Sequence, residues 1–244
     1  MNNINICEAD LIELKKKYQG ENLDIALNKI KNGYPVQYLI GNVNFYGNII
    51  NVTENVLIPR YETEFLVDII KNTFDSNAKL NILDIGTGSG CISISLAKIF
   101  KEASVKGIDV SSSAIKIADE NKNLNKVNNV IFEVKDAFDL DNYNGYDIIV
   151  SNPPYVSKDE IVGEETKYEP QNAIFAENNG LIFYEDIIKK ISISNSVRHI
   201  FFEIGMSQKD DISNFASKYL NNYKFNCLKD LSGKDRYIHI ILNK

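Results

Sequence analysis

Apolar residues follow two different rhythms along this chain. Near the amino terminus, Leu11, Ile12 and Leu14, then Leu23, Ile25, Ala26, Leu27 and Ile30, recur at helical spacing around a break at Gln19-Gly20. That predicts two short amphipathic helices, closed by Asn32-Gly33 and Pro35. From Val43 to Val52 the apolar positions alternate around Tyr46-Gly47-Asn48, the pattern of a β-hairpin. From Pro59 onward helices and strands take turns. Helices are expected over about 63–73, 91–100, 112–123 and 181–193. Strands are expected over 80–85, 105–109, 130–135, 146–151 and 200–204, with two closing strands near 224–228 and 236–242. Such alternation implies a mostly parallel sheet covered on both faces, an α/β fold. The expected organisation is a short helical region over 1–41, a hairpin linker over 42–58 and one main domain over 59–244. No internal repeat or low-complexity tract interrupts it.

Composition narrows the class. The 244 residues suit one substantial domain with a small appendage. A formal charge of -6 and a pI of about 5.1 leave no broad basic surface for nucleic acid, so no direct nucleic-acid binding is expected. Lys15-Lys16-Lys17, flanked by Glu8, Asp10 and Glu13, reads as a solvated helix face. Cys7, Cys91 and Cys227 are an odd number without C-x-x-C spacing, which indicates a reducing compartment and neither a disulfide framework nor a metal site. The amino terminus shows no basic stretch before an apolar core, and no apolar run is long enough to cross a bilayer. A cytoplasmic, membrane-free monomer is the expectation, and the sequon Asn51-Val52-Thr53 is a chance match.

Two motifs carry chemistry. Asn152-Pro153-Pro154-Tyr155 follows the apolar run 146–150 and so stands at a strand's carboxyl end, where open α/β sheets keep their ligands. Two prolines remove two backbone donors and stiffen the turn. With an amide before them and an aromatic ring after, they form a cradle for a planar group bearing an NH2. The second motif is Asp84-Ile85-Gly86-Thr87-Gly88-Ser89-Gly90, in the first strand–helix turn. Cys91 breaks the dinucleotide fingerprint, and Gly90-Cys91-Ile92 is no P-loop ending. What remains suits a ligand with an amino-acid tail and no phosphate. Asp109, at the end of the next strand, is placed to accept hydrogen bonds from both ribose hydroxyls of a nucleoside, or else to cap the following helix, for which Ser111 to Ser113 are also available. Lys135-Asp136-Ala137-Phe138 offers a carboxylate and an apolar edge to an adenine ring, or is a surface turn.

Together these residues resemble class I S-adenosylmethionine-dependent methyltransferases, whose fold is Rossmann-like. The resemblance narrows further: residues 35–41, Phe45-Tyr46-Gly47 and the segment Val56-Leu57-Ile58-Pro59-Arg60-Tyr61-Glu62-Thr63-Glu64 look like the part preceding the catalytic domain in the HemK-type family. Its members are protein-(glutamine-N5) methyltransferases acting on peptide chain release factors. Tyr168-Glu169-Pro170, Gly180-Leu181, Phe202-Glu203-Ile204-Gly205 and residues 230–236 match in order after them. Two departures stand out: the helical region before Pro35 is short for the family, and Tyr61 replaces its usual second proline.

The resemblance implies S-adenosylmethionine as cofactor and the glutamine of the Gly-Gly-Gln tip of class 1 release factors as substrate. Gly86, Thr87, Gly88, Ser89 and Gly90 would hold the methionine part, Asp109 the ribose and Ala137 the adenine. Asn152, Pro153, Pro154 and Tyr155 would hold the glutamine side chain, Asn152 touching the cofactor as well. Catalysis would rest on Asn152, Pro153 and Tyr155, with no general base. His199 and His239 lie in apolar strand patterns and read as core or edge residues, and Glu203 as structural or at the pocket edge. A ribosomal-protein glutamine methyltransferase shares the tetrapeptide. A DNA or RNA amine methyltransferase could use it on a flipped base, although that class usually adds a recognition domain or a basic surface.

Overall fold

The computed structural model describes residues 6–243. Helices α1 (Glu8–Lys17) and α2 (Glu21–Lys31) form where the apolar spacing places them. A further short helix, α3 (Val36–Ile40), follows Pro35 instead of a loop. Pro35 sits at φ -60, suited to a helix start, and Gly41 at φ 92 ends it by donating its N–H to the Gln37 carbonyl. Leu14, Ala26 and Leu39 close a small apolar cluster of their own between these helices.

The hairpin pairs β1 (Asn42–Phe45) with β2 (Asn48–Asn51). Tyr46 and Gly47 both have positive φ, the geometry that matches strand twist in a two-residue turn. A tyrosine there is strained, and two acids hold it: its N–H donates to Glu64 at 2.8 Å and its hydroxyl to Asp68 at 2.6 Å. Both acids lie on α4 (Tyr61–Thr73), whose buried face is Thr63, Leu66, Val67 and Ile70, at i, i+3, i+4 and i+7.

The remaining elements alternate as the sequence pattern predicts. In chain order they are β3 (Asn81–Ile85), α5 (Cys91–Ile99), β4 (Ser104–Asp109), α6 (Ser112–Leu124), β5 (Val130–Val134) and β6 (Ile148–Ser151). A two-residue parallel pair follows, β7 (Val156–Ser157) with β8 (Phe175–Ala176), and then one turn, α7 (Glu177–Gly180). The chain ends through α8 (Ile182–Ser192), β9 (His199–Glu203), α9 (Lys209–Tyr219), β10 (Tyr223–Lys229) and β11 (Asp235–Leu242). The sequence reading assigns no element to α9, although Ile212, Phe215, Ala216 and Tyr219 carry its apolar spacing.

Among the described residues the main sheet runs β10-β11-β9-β6-β3-β4-β5. It is parallel from β9 to β5, and the closing hairpin adds two antiparallel strands at one edge. Helices α4, α5 and α6 and the β1–β2 hairpin cover one face, and α8 and α9 the other. Each fully buried isoleucine, leucine or phenylalanine in these two clusters contributes about 1.5–3 kcal/mol relative to exposure. No helix of the described residues is long and apolar enough to cross a membrane.

Asn121 on α6 fastens the hairpin to the glycine turn. Fully buried, it accepts from the Asn51 N–H at 2.7 Å and donates to the carbonyls of Asn51 and Ser89 at 3.0 and 2.9 Å. Asn121→Ala strands these partners and is expected to destabilise the fold by about 1–3 kcal/mol. Urea unfolding reads this directly; an unchanged midpoint would show that the hairpin is held without it.

Candidate functional site

The carboxyl ends of β3, β4, β5, β6 and β9 converge on one side of the sheet. Strand order reverses between β3 and β6, where Ser151 donates its hydroxyl to the Ile85 carbonyl at 2.7 Å. Crevices in open α/β sheets form at this kind of switch point. A cavity of about 200 Å³ lies there.

Its floor is the turn after β3. Gly86 and Gly88 line the cavity with φ of 71 and 55, and a Cβ on either would meet no protein atom, only the space a ligand would use. Gly90 has another reason for its identity: a Cβ there would fall 2.8 Å from Phe132 and 3.1 Å from Ala118 of α6. Beneath the turn Asp84 is fully buried and accepts from the hydroxyls of Thr87 and Ser93, each at 2.7 Å, while its Oδ1 has no protein partner. Burial pushes its carboxyl up to about 6, opposed by those hydroxyl bonds. Asp109 lines the wall, accepting from the N–H of Gly88 at 3.0 Å and of Ser111 at 2.9 Å. Burial raises its pKa against the pull of these backbone donors. The helix cap is Ser111, which accepts from the Ala114 N–H, so Asp109 is not needed for that.

Ala137, Phe138 and Phe183 make the apolar end of the cavity. Lys190 holds the 137–138 turn through both carbonyls at 2.9 Å and pairs with Asp186, while Asp136 is partly occupied in capping that turn. Lys135 is the one basic side chain among the described residues of the lining. This donor set suits a nucleoside with an amino-acid tail and offers little to a phosphate.

A second cavity, of about 170 Å³, meets the first at Asn152 and Pro153. Tyr155, Arg60 and Glu203 also line it. The Asn152 Nδ2 donates to the Thr63 hydroxyl at 3.1 Å, and that hydroxyl lies 2.7 Å from Glu203 Oε2. The Tyr155 hydroxyl reaches the other Glu203 oxygen at 3.4 Å. Burial pushes Glu203 up to about 7, with Thr63 and then Arg236 drawing it back down. Arg60 is paired with the buried Glu169, which also accepts from the Ile58 N–H at 3.0 Å.

The Asn-Pro-Pro-Tyr turn is clamped from its far side. Gln208 donates to the carbonyls of Tyr155 and Asn179 at 2.9 and 3.1 Å and accepts from the Gly205 N–H at 2.8 Å. Gly180, at φ +76, presses so closely on the Tyr155 carbonyl that any Cβ would collide with it.

Of the residues singled out from sequence, Gly86, Gly88, Asp109, Ala137, Asn152, Pro153 and Pro154 line the first cavity, and Tyr155 joins Asn152 and Pro153 in the second. Thr87, Ser89 and Gly90 lie in the same turn but outside the lining. Thr87 and Ser89 are buried, the first bonded to Asp84 and the second offering its carbonyl to Asn121. Gln208 lies in no motif singled out from sequence, and Thr63 lies in the quoted segment 56–64 without a role assigned to it; the further signal for Thr63 is a polar residue on an otherwise apolar helix face. His199 and His239 are half-buried or buried neighbours on β9 and β11, 2.9 Å apart through their ring nitrogens and away from both cavities. Burial lowers both, His239 to about 4. Among the described residues no metal-sized cluster of His, Cys, Asp and Glu forms.

Comparisons with known proteins agree with this architecture. The family described as methyltransferase small domain matches residues 61–176. A release factor glutamine methyltransferase of Fusobacterium nucleatum is 41% identical over 93% of this chain, which spans 65% of that protein's length. Proteins of the same name from Flavobacterium psychrophilum and Bacillus subtilis are 42% and 36% identical, over 89% and 88% of this chain and 79% and 77% of theirs. Among solved structures, a ribosomal protein L11 methylase from Lactobacillus delbrueckii subsp. bulgaricus superposes with a TM-score of 0.54 at 20% identity, covering 80% of this chain and 86% of that one. The hMettl16 catalytic domain in complex with an RNA hairpin gives 0.63 at 15% identity, covering 96% and 91%. These two likenesses speak to the fold, a class I methyltransferase α/β sheet. The sequence relatives go further, and by them the chain belongs to the release factor glutamine methyltransferase family.

Proposed function

We propose that this protein methylates the side-chain nitrogen N5 of the glutamine in the Gly-Gly-Gln motif of class 1 peptide chain release factors, with S-adenosylmethionine as methyl donor. The observation that carries the reading is the junction of two cavities at Asn152 and Pro153. One is floored by the glycine turn and has little to hold a phosphate; the other is lined by Asn152, Pro153 and Tyr155. The relatives' names support the choice of substrate.

S-adenosylmethionine supplies an electrophilic methyl on a sulfonium, whose sulfur leaves with the bonding pair. The chain's own residues bind and aim. Gly86 and Gly88 would admit the methionine part past their bare backbone, Asp109 would take the ribose hydroxyls, and the Ala137–Phe138 edge would lie against the adenine. An amide nitrogen is a weak nucleophile because its lone pair is delocalised into the carbonyl. Asn152 Oδ1 and the Pro153 carbonyl each accept one N–H of the glutamine amide, which localises the lone pair and directs it at the methyl. Tyr155 supplies a wall for the amide plane. Alignment of this kind lowers barriers by up to roughly 7–11 kcal/mol in favourable cases. The N-methylated, protonated amide is strongly acidic and gives its proton to solvent, so no residue acts as base. A nucleobase amine would fit a similar cradle, but the net charge of -6 disfavours its polyanionic carrier.

Four outcomes are expected. Labelled methyl should appear on purified release factor and vanish when its tip glutamine is replaced, with ribosomal protein and nucleic acid unlabelled in parallel; labelling of nucleic acid alone would transfer the reading to an amine methyltransferase. Asp109→Ala should weaken cofactor binding by about 1–3 kcal/mol, the scale of losing charged hydrogen bonds, and titration calorimetry with unchanged affinity would remove it from the site. Asn152→Ala should lower single-turnover transfer by at least about 10²-fold while cofactor affinity falls much less. Tyr155→Phe should be milder than Tyr155→Ala, because the hydroxyl bond at 3.4 Å is long and the ring remains. Near-normal turnover in Asn152→Ala would return the tetrapeptide to a structural turn.

A further inference from the structure

Asn152 has two nearly isosteric ends, and only one of them suits an amide substrate. If Oδ1 faces the small cavity it accepts from the glutamine NH2; if Nδ2 faces it, donor meets donor. Shape alone does not choose between the two, since an amide flipped about its last torsion fills the same space. The choice is made by the groups behind it.

Thr63 sits on the buried face of α4, 2% exposed, with its hydroxyl between two polar neighbours. Glu203 Oε2 is 2.7 Å away on one side and the Asn152 amide 3.1 Å away on the other. Once ionised, Glu203 only accepts, so above its pKa the one hydroxyl proton of Thr63 goes to it. What Thr63 then turns toward Asn152 is a lone pair, and only the Nδ2 end can meet it. With Oδ1 in that place two acceptors would face each other in a buried site, an arrangement that forfeits the bond and adds repulsion. Among the described residues no hydrogen bond reaches Asn152 Oδ1, which leaves it for the substrate.

We infer that Thr63 and Glu203 are positioning residues that fix the amide of Asn152 with its oxygen toward the substrate. Neither touches the reacting atoms in this assignment; they act through Asn152. The inference rests on the amide-cradle reading of Asn152 given above. It gives a purpose to the threonine among Leu66, Val67 and Ile70, and to a carboxylate kept buried at the end of β9.

A double-mutant cycle tests it, read by single-turnover methyl transfer with saturating cofactor and release factor, at a pH above the ionisation of Glu203. Thr63→Val keeps the side chain's shape and deletes the hydroxyl. It should lower the transfer rate by about tenfold or more, a coupling within the range found for residues in one hydrogen-bond network. Cofactor affinity should not change, and Thr63→Ser should restore most of the rate. In the Asn152→Ala background Thr63→Val should cost nothing further, because there is no amide left to orient. Equal losses in both backgrounds, or no loss in the single variant, would overturn the inference. Thermal unfolding accompanies each variant, and Thr63→Ala replaces Thr63→Val in the same cycle if the valine protein does not fold. A near-normal rate in Asn152→Ala alone would instead sink the cradle reading itself, so the two failures are told apart.

Discussion

Strands β3 and β6 lie side by side and parallel, yet the helices that follow them go to opposite faces of the sheet. The chain leaving β3 enters α5 on one face, and the chain leaving β6 returns through α8 on the other. Neither connection therefore closes over the space above the two carboxyl ends, and a crevice is left there in an otherwise close-packed molecule. Both chemical motifs are located by this one constraint. The glycine turn leaves β3 and the Asn-Pro-Pro-Tyr turn leaves β6, and the bond from Ser151 to the Ile85 carbonyl keeps the two ends level.

Around that gap the protein buries several carboxylates, and each is handled differently. Glu169 is paired with Arg60 and takes a backbone N–H. Asp84 accepts two hydroxyl bonds on one oxygen, and burial raises it to about 6. Glu203 faces a hydroxyl on one oxygen, a more distant phenol on the other and a guanidinium farther off. Burying such groups costs free energy that an apolar core would avoid. Their positions repay that cost in geometry, since one stiffens the glycine turn, one joins two distant segments, and one stands behind the amide at the junction of the cavities.

The segments before the main domain are joined to the site by named contacts. Asn121 links the hairpin to the glycine turn, and Tyr46 spans the hairpin and α4. Farther out, the Tyr168 hydroxyl donates to the Asn32 carbonyl and its ring packs edge-on against Tyr34. The segment that carries Glu169 thus touches α4, the cavity wall and the helical region, so a protein docking on those helices would lie close to the second cavity.

The alternation of strands and helices was legible because each element's burial is periodic, and local periodicity survives in a linear string. The two turns were legible for a similar reason: glycines at positive φ and a double proline at a strand end are local requirements of the backbone. The string marked the glycine turn as a whole, but only the fold decided that Gly86 and Gly88 face the cavity, Gly90 faces Ala118, and Thr87 points down to Asp84. It marked the segments holding Arg60, Thr63, Glu169 and Glu203 without showing which of these residues meet. Thr63 is 89 residues from Asn152 and 140 from Glu203, and Arg60 is 109 from Glu169. A polar residue on an apolar face announces that it has a partner without saying which. Helix α3 was hidden by a proline that starts a helix as readily as it ends one, and α9 by a face of only four apolar positions. Gly180 shows the same boundary: its positive φ is a local requirement, but the approach to the Tyr155 carbonyl that leaves no room for a Cβ exists only once the chain has folded back on itself.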